Sequence, residues 1–164
     1  MLAGASSPGT ASSEYELKAA FLLSFASFVE WPPAAFSGPE APVAFCVFGN
    51  DPFGGTLNQV AKGKKIDGRA VLIRATSDAA SLRSCHVVFA PGSEMRGYSK
   101  IASTLSDLSI LTVGETNDFS ESGGIVTFVT DDDRLRFGIN SLAAERAHLK
   151  LSSRLLQLAL VSRH

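Results

Sequence analysis

The chain reads as an α/β protein with a Rossmann-like three-layer fold: a mostly parallel sheet of about five or six strands, helices on both faces, and an antiparallel hairpin at one edge. Three observations lead there. The short runs rich in Val, Ile and Phe are apolar throughout instead of alternating, which marks strands covered on both faces. Helical patterns fall between them, as parallel pairing requires. The last two runs are separated only by Asp131-Asp132-Asp133, a polar turn short enough for a hairpin. At 164 residues a single domain is expected over 14–164, after a disordered or post-signal segment of small and polar residues at 1–13.

Residues 14–29 are expected to form the first helix. Ser12 or Ser13 is placed to accept from the free amides of its first turn, and Leu17, Phe21, Leu22, Phe25, Phe28 and Val29 share one broad face. Pro32 and Pro33 end it, because a proline disfavours helical geometry in the residue before it. The polar face lacks the Lys and Arg of a membrane-surface helix, so the apolar face is read as core packing. The strand Val43–Phe48 follows, then the turn cluster Gly49-Asn50-Asp51-Pro52-Phe53-Gly54-Gly55 and a short helix at 56–61.

Strands at 70–74 and 86–90 come next, the second halted by Pro91-Gly92, with Ser93 as cap for a helix at 94–105. A strand at 109–113, a loop or short helix at 117–121, and Gly123-Gly124 lead to the hairpin strands 125–130 and 135–139. Asn140 caps a helix ending near Ala147, 149–151 is a link, and Ser152 or Ser153 caps a last helix carrying Leu155, Leu156, Ala159 and Leu160.

The composition is 45% hydrophobic and 19% charged with 11 Phe, a globular mixture. The net charge is −1 and both signs are spread along the chain, without an arginine-rich run, so no nucleic-acid partner is expected. No stretch reaches the roughly 20 apolar residues of a membrane span.

The chemistry-bearing residues form no catalytic set. Loop 49–55 lies where a doubly wound fold binds phosphate, yet it matches neither nucleotide-binding glycine pattern, has no lysine, and carries Asp51, which repels an anion. His86, His148 and His164 lack metal-ligand spacing, and the three aspartates lack the calcium-loop pattern. Ser93 sits in Gly92-Ser93-Glu94, without the second glycine of a nucleophile elbow. Arg134 and Arg136 share one strand face, read as solvated. No catalytic residue, metal or cofactor is expected. Cys46 and Cys85 are either buried free thiols or one disulfide. The first and third strands can be neighbours in a doubly wound order, so the two sulfurs can meet if the Cα atoms come within roughly 7 Å.

Several fragments together resemble the YfiR family of periplasmic proteins, from about Tyr15 to Ala159. They are Tyr15-Glu16-Leu17-Lys18-Ala19-Ala20-Phe21-Leu22, Phe28-Val29-Glu30-Trp31-Pro32, Cys46-Val47-Phe48-Gly49-Asn50-Asp51-Pro52-Phe53-Gly54, Gly68-Arg69 and Cys85-His86-Val87-Val88-Phe89. The second half adds Leu111-Thr112-Val113-Gly114, Phe119, Gly123-Gly124, Arg136-Phe137-Gly138-Ile139-Asn140 and Leu149-Lys150-Leu151-Ser152-Ser153 with Leu155-Leu156.

The resemblance implies an exported, periplasmic, non-enzymatic protein with a Rossmann-like fold that binds no nucleotide and often dimerises. It implies a regulator that binds the periplasmic part of an inner-membrane diguanylate cyclase and represses it, lowering cyclic di-GMP and biofilm formation. An outer-membrane, peptidoglycan-associated lipoprotein is the implied antagonist. The resemblance carries a disulfide onto Cys46 and Cys85, while the second pair of some members is absent here. The residues leave three other readings open: a small-molecule sensor using the crevice near 49–53, a hydrolase around Ser93 or His86, and a sensory module with a different partner.

Overall fold

In the computed structural model, residues 6–159 and 161–163 are described, with side chains from Ser13 to Ala159. Residues 1–5, Leu160 and His164 lie outside the described residues. The first helix, α1, runs from Ser6 to Ser27, starting ahead of the expected Glu14. Ser12 and Ser13 therefore lie within it and do not cap it. Pro8 is tolerated because the first helical turn needs no amide donor there. Leu17 is the one member of the expected apolar face that points to solvent, at 53% exposure, while Lys18 and Ala19 turn inward.

After α1 come β1 (Val29–Glu30), β2 (Val43–Phe48), α2 (Thr56–Ala61), β3 (Lys65–Ile66) and β4 (Arg69–Thr76). Then follow α3 (Ala79–Leu82), β5 (Val87–Ala90), α4 (Met95–Leu105), β6 (Leu111–Gly114) and α5 (Asn117–Glu121). The chain closes with β7 (Val126–Asp131), β8 (Arg134–Asn140), α6 (Ser141–Arg146), β9 (Lys150–Leu151), α7 (Ser153–Leu158) and β10 (Val161–Arg163). Asn140 caps α6 through Ala143 N–H, and Ser152 caps α7 through Arg154 N–H. Ser93 does not cap α4, because Gly92–Glu94 forms a 3₁₀ turn ahead of that helix.

The main sheet has the order β10-β8-β7-β6-β5-β2-β4-β3. Its parallel centre, β4-β2-β5-β6-β7, is the flavodoxin-like variant of the doubly wound order, with the switch point between β2 and β5. The hairpin β7–β8 is antiparallel, pairing Asp131 with Arg134 across Asp132 and Asp133, both at positive φ (54° and 64°). That is the two-residue turn whose twist suits a hairpin, and it accounts for the acidic triplet without a metal. Outside β8 the short β10 adds one parallel strand. The expected link at 149–151 is instead part of a small antiparallel sheet, β9 on β1, with Val29 opposite Leu151.

The sheet divides two cores. Val43, Phe45 and Val47 of β2 face α1, α2, α6 and α7, while Cys46 and Phe48 face α3, α4 and α5. All six residues of β2 are buried. On the second side Phe119 of α5 lies over Gly114 and Gly124, where any Cβ would collide with its ring. That close approach is why β6 ends, and the chain re-enters β7, on glycine.

Cys46 and Cys85 are joined in a disulfide, with Cα atoms 6.1 Å apart and a separation of 39 positions in sequence. Both sulfurs are buried against the α4 side of the sheet. Replacing both cysteines by alanine is expected to lower the unfolding free energy by about 3–4 kcal/mol, the loop-closure entropy of a segment this long. Urea unfolding of variant and parent under non-reducing conditions measures it; matching midpoints would show that the bond adds no stability.

Candidate functional site at the carboxyl edge of the sheet

Doubly wound folds bind ligands at the carboxyl ends of their strands, beside the switch point. Here that crevice is filled by the chain's own side chains. Gly49 has φ 76°, and a Cβ there would run into the Glu94 carboxylate. Glu94 Oε2 accepts the Asn50 N–H at 3.1 Å, and Asp51 Oδ1 accepts the Phe53 N–H at 2.7 Å. Two carboxylates thus hold amides that a phosphate would need. Phe53 is buried in the crevice, edge-on to Phe89 at 5.1 Å and to Tyr15 at 5.4 Å.

Beside it stands a cluster that no sequence motif marks: Tyr15 and Lys18 from α1, and Glu115 from the loop after β6. Lys18 Nζ lies 2.6 Å from both Glu115 Oε1 and Glu14 Oε2, with only 5% of its side chain exposed. Glu115 also accepts from the Tyr15 hydroxyl at 3.1 Å and from the Gly92 N–H at 2.7 Å. Lys18 further lies 4.6 Å from the centre of the Tyr15 ring.

Burial, then the Glu115 charge and hydrogen bond, holds the Tyr15 hydroxyl far above its ordinary pKa. It therefore stays a donor and cannot act as a base near neutrality. The cluster ties α1 to the loops after β5 and β6. It borders a cleft of about 450 Å³ that Thr116, Asn117, Phe128, Thr130 and Leu135 also line. One cation against two carboxylates leaves this cleft unfavourable for an anion. The signal for Lys18 is its place on the packing stripe, three and four residues before Phe21 and Leu22.

His86 lies at the opposite, amino end of β5. Its Nδ1 accepts the Ala44 N–H at 3.0 Å, and its Nε2–H donates to the Ala35 carbonyl at 2.8 Å, which assigns a neutral tautomer. The ring stacks on Phe36 at 4.3 Å. Arg69 closes the same loop, donating to the carbonyls of Gly38 at 2.9 Å and Ala41 at 2.8 Å with its guanidinium 3.7 Å from the Phe36 ring. Ser93 is exposed beyond the other end of β5, so the strand separates the two residues of the hydrolase reading. His148 is exposed at positive φ after α6, as its helix-end position implies.

The chain is thus a Rossmann-like α/β protein whose switch-point crevice is occupied by its own side chains. A profile of the YfiR/HmsC-like family matches residues 15–160, and the chain belongs to that family. The family is one of periplasmic regulators in cyclic di-GMP signalling. None of the described helices is long and apolar enough to cross a membrane. No curated protein matches the chain.

Among solved structures, a conserved domain protein from Vibrio cholerae O1 biovar El Tor is similar at 14% identity and TM-score 0.48, over 74% of this chain and 55% of that one. The ABC domain from Streptococcus pneumonia, solved with L-Trp, is similar at 12% identity and TM-score 0.51, over 73% of this chain and 54% of that one. The chain thus spans about half the length of either, and the second likeness concerns the fold alone.

Lys18→Met is expected to destabilise the protein by about 3 kcal/mol, since it strands Glu115 in a buried setting. Adding Glu115→Gln should restore part of that loss, and a double-mutant cycle in urea measures the coupling; additive losses would contradict it. His86 gives a second test. Burial, aided by Arg69 and Arg74 and opposed by the Ala35 carbonyl, lowers its pKa. The unfolded chain, with a histidine pKa of about 6.5, then binds the proton first. This contribution is complete above that pH and lost as the pH falls below it. His86→Gln should flatten the fall in stability between about pH 7.5 and 5, read by urea midpoints against the parent.

Proposed function

We propose that this chain is a non-enzymatic periplasmic repressor that binds the periplasmic part of an inner-membrane diguanylate cyclase and holds it inactive, lowering cyclic di-GMP and biofilm formation. The family match across 15–160 carries the reading. The filled switch-point crevice supports it, because an interaction protein needs surface where a nucleotide enzyme needs a cavity. The Cys46–Cys85 bond fits an oxidising compartment.

Repression of this kind needs differential affinity alone. Turning a cyclase from almost fully active to almost fully inactive takes a preference for the inactive form of about 5.5 kcal/mol. An outer-membrane, peptidoglycan-associated lipoprotein that sequesters the repressor would release the enzyme, and a homodimer would present two copies of the surface. The cleft beside Glu115 favours a second reading, a sensor for a neutral or cationic small molecule.

Deleting the protein is expected to raise cellular cyclic di-GMP several-fold, with reversal by an exported copy and not by one kept in the cytoplasm. Unchanged cyclic di-GMP under several envelope stresses would count against repression and favour the sensor.

A further inference from the structure

The outer edge of β4 is open. Its inner edge pairs with β2 along the six residues from Val71 to Thr76, whereas β3 covers only Arg69 and Ala70 on the outside. No described strand pairs with the outer edge of 71–76. Along this edge the side chains divide. Leu72 and Arg74 are exposed on one side, while Val71 and Ile73 are half-buried on the other.

Val71 and Ile73, with Ala61, floor a groove of about 340 Å³ whose rim is Lys62, Lys64 and Lys65. Residues 62–74 hold Lys62, Lys64, Lys65, Arg69 and Arg74 against the single acid Asp67. None of the three lysines has an ion-pair partner among the described residues. The basic stretch 62–74 thus lies beside an unpaired strand edge, where the charge balance of the whole chain does not reveal it.

We infer that this edge docks an extended acidic segment of a partner protein, which adds to β4 as a further strand. Strand addition takes its affinity from main-chain hydrogen bonds and its specificity from pockets for alternate side chains. At this edge the matching segment is about six residues long and alternates apolar with acidic residues. The apolar ones lie on the side of Val71 and Ile73, and the acids on the side of Arg74 and of Lys65, which is in register with Ala70. Edge lysines block self-pairing. A second copy would bring its own lysines to the same rim, so the charge that excludes it selects an acidic strand. This inference deepens the repressor reading and rests on it only in taking the partner to be a protein.

The test uses the full chain with a soluble eight-residue peptide alternating Glu and Val, and the same peptide with Lys for Glu. Binding is read by fluorescence anisotropy and located by amide hydrogen exchange. The acidic peptide should bind and the basic one should not. Exchange should slow at 71–76, affinity should fall with salt, and the K62E/K64E/K65E variant should lose at least tenfold. These lysines are exposed, so the variant's fold can be checked by its unfolding midpoint.

No binding, equal binding by the variant, or protection elsewhere would overturn the inference. So would protection of 71–76 that grows with protein concentration alone, which assigns the edge to a second copy. Binding of phosphatidylglycerol vesicles without peptide binding would assign the patch to lipid and overturn it as well. The peptide readout involves no cyclase, so its failure leaves the repressor reading standing. Equally, unchanged cyclic di-GMP in a deletion strain leaves a positive peptide result standing.

Discussion

β2 is buried along all six of its residues and hydrogen-bonded on both sides, to β4 and to β5. Because strand side chains alternate, its register decides which residues enter each core. Val43, Phe45 and Val47 join the aromatic cluster under α1, and Cys46 and Phe48 join the cluster under α4. A slip of one residue would exchange these sets and carry the Cys46 sulfur away from Cys85. The disulfide therefore depends on the register as much as it reinforces it. The switch point, the crevice beside it and the open edge of β4 all take their positions from this strand.

The consequence at the carboxyl edge is electrostatic. In nucleotide-binding versions of the fold, loop amides and a helix start meet a phosphate. Here Asp51 and Glu94 already accept from loop amides, and Phe53 occupies the adjoining space. The neighbouring cluster behaves alike: Lys18 gives its charge to Glu14 and Glu115, and Glu115 collects three kinds of donor. These groups hold α1 against the loops after β5 and β6. The edge is polar and nearly self-satisfied, which suits a rigid scaffold.

The buried strands were legible because complete burial leaves an unbroken apolar run, and β2, α2 and α5 match their expected bounds. Capping was legible in part: Asn140 caps α6 and Ser152, one of two serines expected there, caps α7. Ser12, Ser13 and Ser93, read by the same rule, cap nothing because their helices begin elsewhere. The family resemblance supplied the disulfide pairing, which spacing had left open. Most of what escaped depends on distant partners, the four-residue α3 behind its Asp78 cap excepted. β1, β9 and β10 are two or three residues long and exist only through pairing with remote segments. Lys18 reads as a helix-surface charge until Glu115, 97 residues away, is brought beside it. Leu17 reads as core because periodicity gives a face and not its width.

The two margins of the sheet are unequal, and the disulfide lies near the open one. On one side β10 extends the hairpin, and on the other β4 leaves most of its edge unpaired. Cys46 is in register with Arg74 of β4, and Arg74 Nη2 lies 3.2 Å from Ser84 Oγ and 4.0 Å from Cys85 Sγ. The covalent bond therefore fastens β2 to the start of β5 at the level where β4 presents its exposed side chains. A preformed strand loses less conformational freedom on docking than a mobile one, and that saving appears directly as affinity. Bond and open edge thus meet at one level of the sheet, with β2 cross-linked on one side and paired with β4 on the other.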